Sequence, residues 1–517
     1  MSFDAYLVLF GLIAMLTVLI LDKMRPGLVL LSVVVFFLCA GILTPKEMLE
    51  GFSNKGMITV AMLFLVSEGI RQSGELEHVI KKLLPSGKPT LFNTQLRILP
   101  SIAFISAFLN NTPVVVIFAP IIKRWAEKVR VPATKFLIPL SYATVLGGIC
   151  TLIGTSTNLV VHGMIIDAGY EGFSMFEIAW VGLPIAIAGI IYMLLFSNKL
   201  LPDVRDNNSD DDSDEGNLGN LHRVEAVLSS RFPGINKTVK EFNFTRHYGA
   251  IVKEIRSGGI RYTRDLDSVV FHEGDTLILW ADDTFIPTWG DSSVFVLLAN
   301  GTDRESPMSK KKRWFALILL FIMIVGATIG ELPAVKERIP GIKLDMFFFV
   351  CVTTIIMAWT KIFPPKKYTK YISWDILITI ACAFAISKAM ENSGLAAMAA
   401  GYIINLSHSY GPYALLAMLY LIVNAVTELI TNNAAAALGF PVALSVAMQL
   451  GVDPTPFFIT ICIAASAAFS TPIGYQTNLI VQGVGGYKFT DFVKVGLPLN
   501  IICFLLSVFL IPLIWKF

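Results

Sequence analysis

The chain has 517 residues, is 55% hydrophobic and only 15% charged, with a net charge of +3. A soluble domain of this length carries roughly 25% charged residues. With a mean hydropathy of +0.67, the shortfall exceeds what core burial explains, so lipid is the solvent for much of the surface, and the small net charge gives no ground for a nucleic-acid polymer as partner.

The first apolar run, 5–21, is followed by Asp22, Lys23 and Arg25 without a small-residue cleavage site, so it reads as a retained helix. Further runs follow at 27–43, 57–70, 97–120, 136–168 and 176–200, then at 314–330, 345–362, 374–390, 412–449, 456–484 and 491–515. A helix needs about 20 residues to span the hydrocarbon, and several runs fit. The runs at 97–120 and 412–449 are broken by Asn-Asn, Thr and Pro. Those at 136–168 and 456–484 hold Gly-Thr-Ser-Thr-Asn and Gly-Tyr-Gln-Thr-Asn at mid-depth. Such breaks are tolerated in a membrane only where they are buried in protein or line a cavity, the pattern of a transporter with discontinuous helices.

Between the two groups of runs the character changes. Residues 201–220 read as an acidic Ser/Asn/Gly-rich linker without EF-hand spacing. Residues 221–300 read as a small α+β domain, with strands in VEAVLSS, AIVKEI, SVVFHEGDTLILWADD and SVFVLLAN and a short helix in KTVKEFNF. The basic stretch Lys310 to Arg313 leads back into the membrane. The cysteines lie in apolar segments without a C-x-x-C pair, and the histidines have no ligand spacing.

The two membrane halves match in order. SEGIRQSG at 67–74 resembles SKAMENSG at 387–394, and SAFLNNTPVVVIFAP at 106–120 resembles TELITNNAAAALGFP at 427–441. IGTSTNLVVHG at 153–163 resembles IGYQTNLIVQG at 473–483, and VGLP at 181–184 recurs at 495–498. Lys and Arg set the orientation. Residues 121–135 hold Lys123, Arg124, Lys128, Arg130 and Lys135, whereas Glu391 through Gly486 holds no Lys or Arg. The hairpin at 97–120 therefore opens to the cytoplasm and its partner at 412–449 to the outside, which inverts the halves. The loop 331–344, with Lys336, Arg338 and Lys343, disobeys and is outvoted. The expected fold is an all-α polytopic membrane protein with inverted repeats and two re-entrant hairpins, plus a small cytoplasmic α+β domain. Residues 1–200 form the first half, 201–220 the linker, 221–300 the inserted domain and 301–517 the second half.

Isolated charges are costly in lipid, and the breaks offer neutral groups instead. In the first half these are Asn110, Asn111 and Thr112 with Gly154, Thr155, Ser156, Thr157 and Asn158. In the second they are Thr431, Asn432 and Asn433 with Gly474, Tyr475, Gln476, Thr477 and Asn478. Carbonyl oxygens suit a hard cation, and hydroxyls and helix-start N–H groups suit an anion. Sites made of both imply co-transport, whereas packing between helices is the plainer reading of any single residue. His162 reads as a packing histidine, and Glu428 either steers a cation or pairs with Lys388. No nucleophile–base set stands out, so no enzyme is expected.

The NNT at 110–112 and TNN at 431–433, each in a broken hairpin, resemble the paired Ser-Asn-Thr motifs of the divalent-anion/sodium symporters. GGICTLIGTSTNLVV at 147–161 resembles their sulfate-type branch. The resemblance implies a sodium-coupled symporter for a small divalent anion, sulfate first, working by alternating access in the cell membrane. It implies one sodium at Ser106, Asn111 and Gly154 and a second at Thr427, Asn432 and Gly474. The anion is then expected at Asn110, Asn111, Thr112, Thr155, Thr431, Asn432, Asn433 and Tyr475. Asn110 and Asn433 depart from the family's Ser and Thr, and Ser156-Thr157-Asn158 and Gln476-Thr477-Asn478 stand where carboxylate carriers have Pro-Pro-Asn. These departures favour a small oxyanion over a dicarboxylate. Dicarboxylate, bicarbonate or another oxyanion remains the alternative within transporters, and a cation channel or a sensor on a transporter fold the alternative outside them.

The stretches VEAVLSSRFPGINKTVKEFNFTRHYGAIVKEIRSGG and FHEGDTLILWADD resemble the RCK C-terminal, or TrkA-C, domain. This implies a regulatory or dimer-forming role, a homodimer, and an unspecified regulatory ligand; a passive spacer is the alternative. No Gly-rich dinucleotide loop is present.

Overall fold

The computed structural model describes residues 2–517 apart from 22–23, 86–88, 204–220, 230–231, 259, 283, 290–293, 300–307, 339–340, 342 and 407–410. Nearly all of the acidic stretch read as a linker lies outside the described residues. The first half comprises α1 (Phe3–Ile20), α2 (Pro26–Cys39), α3 (Pro45–Glu50), α4 (Lys55–Ser73), α5 (Glu75–Leu83), α6 (Leu91–Ser106), α7 (Asn111–Lys128), α8 (Thr134–Gly148), α9 (Ser156–Asp167) and α10 (Ala179–Leu200). The insert follows as β1 (His222–Leu228), α11 (Val239–Phe242), α12 (Phe244–Tyr248), β2 (Ile251–Ser257), β3 (Ile260–Tyr262), β4 (Thr276–Ala281), α13 (Phe285–Trp289) and β5 (Phe295–Ala299). The second half is α14 (Lys310–Gly330), α15 (Pro333–Arg338), α16 (Met346–Trp359), α17 (Trp374–Asn392), α18 (Leu395–Leu406), α19 (Gly411–Thr427), α20 (Asn432–Leu450), α21 (Thr455–Ser466), α22 (Gln476–Gly485) and α23 (Phe489–Ile514).

Among the described residues six helices are long and apolar enough to cross a membrane, or seven if the bent pair α17–α18 is one span. The bend there is 73°. It turns on Gly394, whose φ of +74° only glycine adopts without strain. The matching α4–α5 junction turns on Gly74, at φ +73°. The re-entrant hairpins are α6–α7 and α19–α20, each broken for four residues at its tip. Pro113 sits in the first turn of α7, where an N–H has no partner within the helix and proline costs nothing. Large apolar side chains stay exposed along the outer helices, such as Phe10, Phe321, Leu505 and Phe509, as expected where lipid is the solvent.

The insert is an antiparallel sheet in the order β3-β2-β4-β1-β5. Strand alternation sends Val224, Ala226 and Leu228 of β1 and Leu277 and Leu279 of β4 to one face. There they pack with an aromatic core, in which the Phe232 and Phe271 rings lie 5.2 Å apart. KTVKEFNF forms two short helices rather than one, because Asn243 at φ +50° ends α11 and caps α12. The other face lies on the membrane helices. Val227 joins their apolar core, Glu225 of β1 is 2.7 Å from Lys123 of α7, and the turn before β4 rests on α22. A Cβ on Gly483 of α22 would run into the Gly274 carbonyl and lie 2.9 Å from Thr276 Oγ1.

Candidate functional site

Each half breaks a helix in mid-bundle, and the carbonyls freed at the break need donors. One asparagine per half supplies them. Asn158 Nδ2 donates to the Thr151 carbonyl at 2.9 Å and the Gly148 carbonyl at 3.5 Å. Asn478 Nδ2 donates to Ala468 at 2.8 Å and Thr471 at 3.1 Å. A threonine then ties each break to a hairpin tip. Thr151 Oγ1 donates to the Ala107 carbonyl and accepts from the Gly154 N–H. Thr471 Oγ1 donates to Glu428 and accepts from Gly474 in the same way.

The tips carry the predicted residues. In the first, Ser106 Oγ donates to Asn111 Oδ1 at 2.7 Å. In the second, Thr427 Oγ1 lies 2.9 Å from Asn432 Oδ1 and 2.6 Å from the Ala465 carbonyl. That inner Asn432 atom is also 3.1 Å from the Gly474 carbonyl and 3.2 Å from the Ala465 carbonyl. With the amide turned so that nitrogen faces inward, its two N–H groups are shared among the three; with oxygen inward, that oxygen faces three others.

The halves meet at these tips. Asn111 Nδ2 donates to the Tyr475 hydroxyl at 2.8 Å. Asn433 Oδ1 accepts from Ser156 at 3.1 Å and Thr157 at 3.3 Å. Ser141 Oγ bonds Thr477 Oγ1 at 2.8 Å and Asn478 Oδ1 at 2.7 Å. Each hairpin tip therefore touches the helix start of the opposite half. Asn111, Thr155, Asn432 and Asn433 are buried, while Asn110, Thr112, Thr431 and Tyr475 keep partial exposure. The hydroxyl of Thr431 is buried without a hydrogen-bond partner in the protein, free to donate to something else, and the buried Thr155 hydroxyl faces the Tyr475 phenol. Asn110 and Thr431 occupy the cap positions of α7 and α20, so first-turn N–H groups open toward the same place.

Sequence reasoning missed Gly148, where a Cβ would come within 2.7 Å of Asn111 Oδ1, and Thr151 and Thr471, which clamp the breaks. The repeat held the signal for the threonines: CTLIG and STPIG carry them in the same register. Glu428 does not pair with Lys388, which bonds Glu391 at 3.1 Å instead.

A family model described as a citrate transporter matches residues 16–438 and 337–517. The chain belongs to this transporter family. It is a multi-pass membrane transporter and not an enzyme. A transporter of Synechocystis sp. is 29% identical over 97% of this chain and 95% of its own length. Sodium/sulfate cotransporter 1 of Chlamydomonas reinhardtii is 23% identical over 89% of this chain and 84% of its own. Among solved structures, the YdaH transporter of Alcanivorax borkumensis aligns with a TM-score of 0.51 at 14% identity, over 93% of this chain and 87% of that one. That likeness is one of fold.

Proposed function

We propose that the chain is a sodium-coupled symporter for a small divalent anion, sulfate first, working by alternating access. The meeting of the two polar breaks carries the reading. One sodium is assigned to Ser106, Asn111 and Gly154, and a second to Thr427, Asn432 and Gly474. With the Asn432 amide oxygen inward, the oxygens gathered around it are of the kind a hard cation takes. The anion is assigned between them, to Asn110, Asn111, Thr112, Thr155, Thr431, Asn432, Asn433 and Tyr475, where the unpartnered Thr431 hydroxyl and two helix starts gather. The sodium ions lower the cost of bringing a dianion into a low-dielectric site. Relatives named as sodium/sulfate cotransporters support both the coupling ion and the anion.

The insert is proposed to be a cytoplasmic RCK C-terminal-like domain that regulates transport and pairs two copies of the chain. Its support is its seat: the sheet rests on α7 and α22, the two helices that start at the proposed site. The family description favours citrate as the competing substrate. Counterflow in proteoliposomes decides, with radiolabelled sulfate against succinate and citrate, with and without sodium. Sodium-dependent sulfate exchange is the expected result. Carboxylate exchange that excludes sulfate overturns the anion, and exchange indifferent to sodium overturns the coupling.

A further inference from the structure

The two halves share a framework, so their differences within it are informative. Ala107 corresponds to Glu428, being the residue after Ser106 as Glu428 is after Thr427. Cys150 corresponds to Ser470, each directly before the clamping threonine, and Ala186 corresponds to Asn500, each two residues beyond VGLP. The backbone around all three positions is held alike. Gly182 packs against the Ile149 carbonyl where Gly496 packs against that of Phe469, and both threonines reach the carbonyl of the hairpin-tip residue. The fold therefore does not require polar side chains at these places, since the first half does without them.

In the second half the three polar residues touch one another. Glu428 Oε1 accepts from the Ser470 N–H at 2.8 Å and from Asn500 Nδ2 at 2.6 Å. Asn500 Nδ2 also donates to Ser470 Oγ at 2.8 Å. Glu428 Oε2 and Asn500 Oδ1 are both buried without a partner, and Asn500 is only 6% exposed. Among the described residues Glu428 has no ion pair, and no Lys or Arg occurs from Glu391 through Gly486. Glu428 is half-buried, but its Oε2 is withdrawn from water, and a buried carboxylate oxygen without a donor or counter-charge is unfavourable. Two buried oxygen acceptors with no donor, on side chains that touch each other, call for a positive charge.

We propose that Glu428, Ser470 and Asn500 form an additional site for a sodium ion, present in the second half alone. Glu428 supplies a full negative charge, which the two sodium sites proposed at the hairpin tips lack. An ion bound here neutralises the carboxylate before the hairpin crosses the hydrocarbon, and its release unbalances the charge again. The site thus couples movement of the second hairpin to sodium. This inference rests on the sodium-coupled reading above.

The test counts sodium ions bound per chain, using radioactive sodium at equilibrium on the purified full-length protein. Glu428→Gln is expected to bind one sodium fewer than the unaltered chain while keeping the ions at the other sites. The triple change Glu428→Ala, Ser470→Cys, Asn500→Ala copies residues that the first half already packs, so it controls for folding, and it is expected to lose the same single ion. If both variants bind as many ions as the unaltered chain, the inference is overturned, and a response to pH alone at Glu428 overturns it in favour of a proton. If the unaltered chain binds no sodium, the coupling reading itself fails, which is a different result.

Discussion

Asn158 and Asn478 do the same work in the two halves: each caps a broken helix by donating to two backbone carbonyls. The residues just beside them diverge. Thr155 opens α9 with a short hydroxyl, whereas Tyr475 opens α22 with a phenol that reaches across the halves to Thr155 and Asn111. The backbone scaffolding of a mid-membrane break admits few solutions, because every freed carbonyl must find a donor within the protein. What faces the space between the breaks is not constrained in this way. Symmetry is kept where the backbone must be satisfied and lost at the positions proposed to hold a solute.

The sharpest way to break this comparison is to remove the paired asparagines that face inward. Asn111→Ala and Asn432→Ala are each expected to abolish sodium-dependent uptake while the protein still assembles. Both lie at hairpin tips and not in the capping framework. A lost hydrogen bond to a charged group costs about 1.5–3 kcal/mol, and each residue is proposed to serve a sodium ion and the anion together. Uptake in proteoliposomes beside size-exclusion profiles checks both halves of the statement, and normal uptake in both variants refutes the site.

Much of this arrangement is legible in the sequence because polar residues in an apolar run are conspicuous. The NNT and TNN tips and the GTSTN and GYQTN breaks stand out, and the order of the repeats is plain. The pairings are less accessible. Periodicity cannot tell that Asn433 bonds Ser156 and Thr157, 277 and 276 residues away, since such contacts depend on how the halves cross. Gly148 is invisible for another reason. Its role is to leave room for Asn111, and a missing side chain carries no chemical signature. The seating of the sheet is hidden likewise, because it uses the glycines Gly274 and Gly483.

Those glycines give a second, smaller contrast. Gly163 and Gly483 occupy the same place in the repeat and face different partners. A Cβ on Gly163 would lie 2.6 Å from Asn54 Oδ1 and 3.1 Å from the Phe384 ring, within the membrane bundle. On Gly483 it would strike the insert. Overpacking costs about 1–3 kcal/mol, and where the strain falls decides the phenotype. Gly163→Val is expected to lower the thermal stability of the whole membrane bundle. Gly483→Val is expected to leave that stability nearly unchanged and to expose the insert to protease. If Gly483→Val lowers bundle stability as much as Gly163→Val, the sheet is an integral part of the bundle and not a docked body.

The smallest effect is expected at the ion pair between Lys123 and Glu225, 2.7 Å apart, with side chains 10% and 21% exposed. An exposed pair contributes about 0–1 kcal/mol, and partial burial places this one near the upper end, which is about fivefold in a docking equilibrium. Lys123→Glu alone sets two carboxylates face to face and is expected to raise the rate of insert cleavage by at least that factor. Glu225→Lys alone, which faces two ammonium groups, is expected to act in the same direction. The double reversal recreates the pair with its ends exchanged and is expected to recover most of the protection, as the coupling in a double-mutant cycle requires. High salt weakens an interaction of this kind by screening, so the gap between single and double variants is expected to narrow as salt rises. Apolar contact through Val227 and the close backbone approach at Gly483 remain in every one of these variants, which is why charge reversal loosens the sheet from α7 without freeing it from α22.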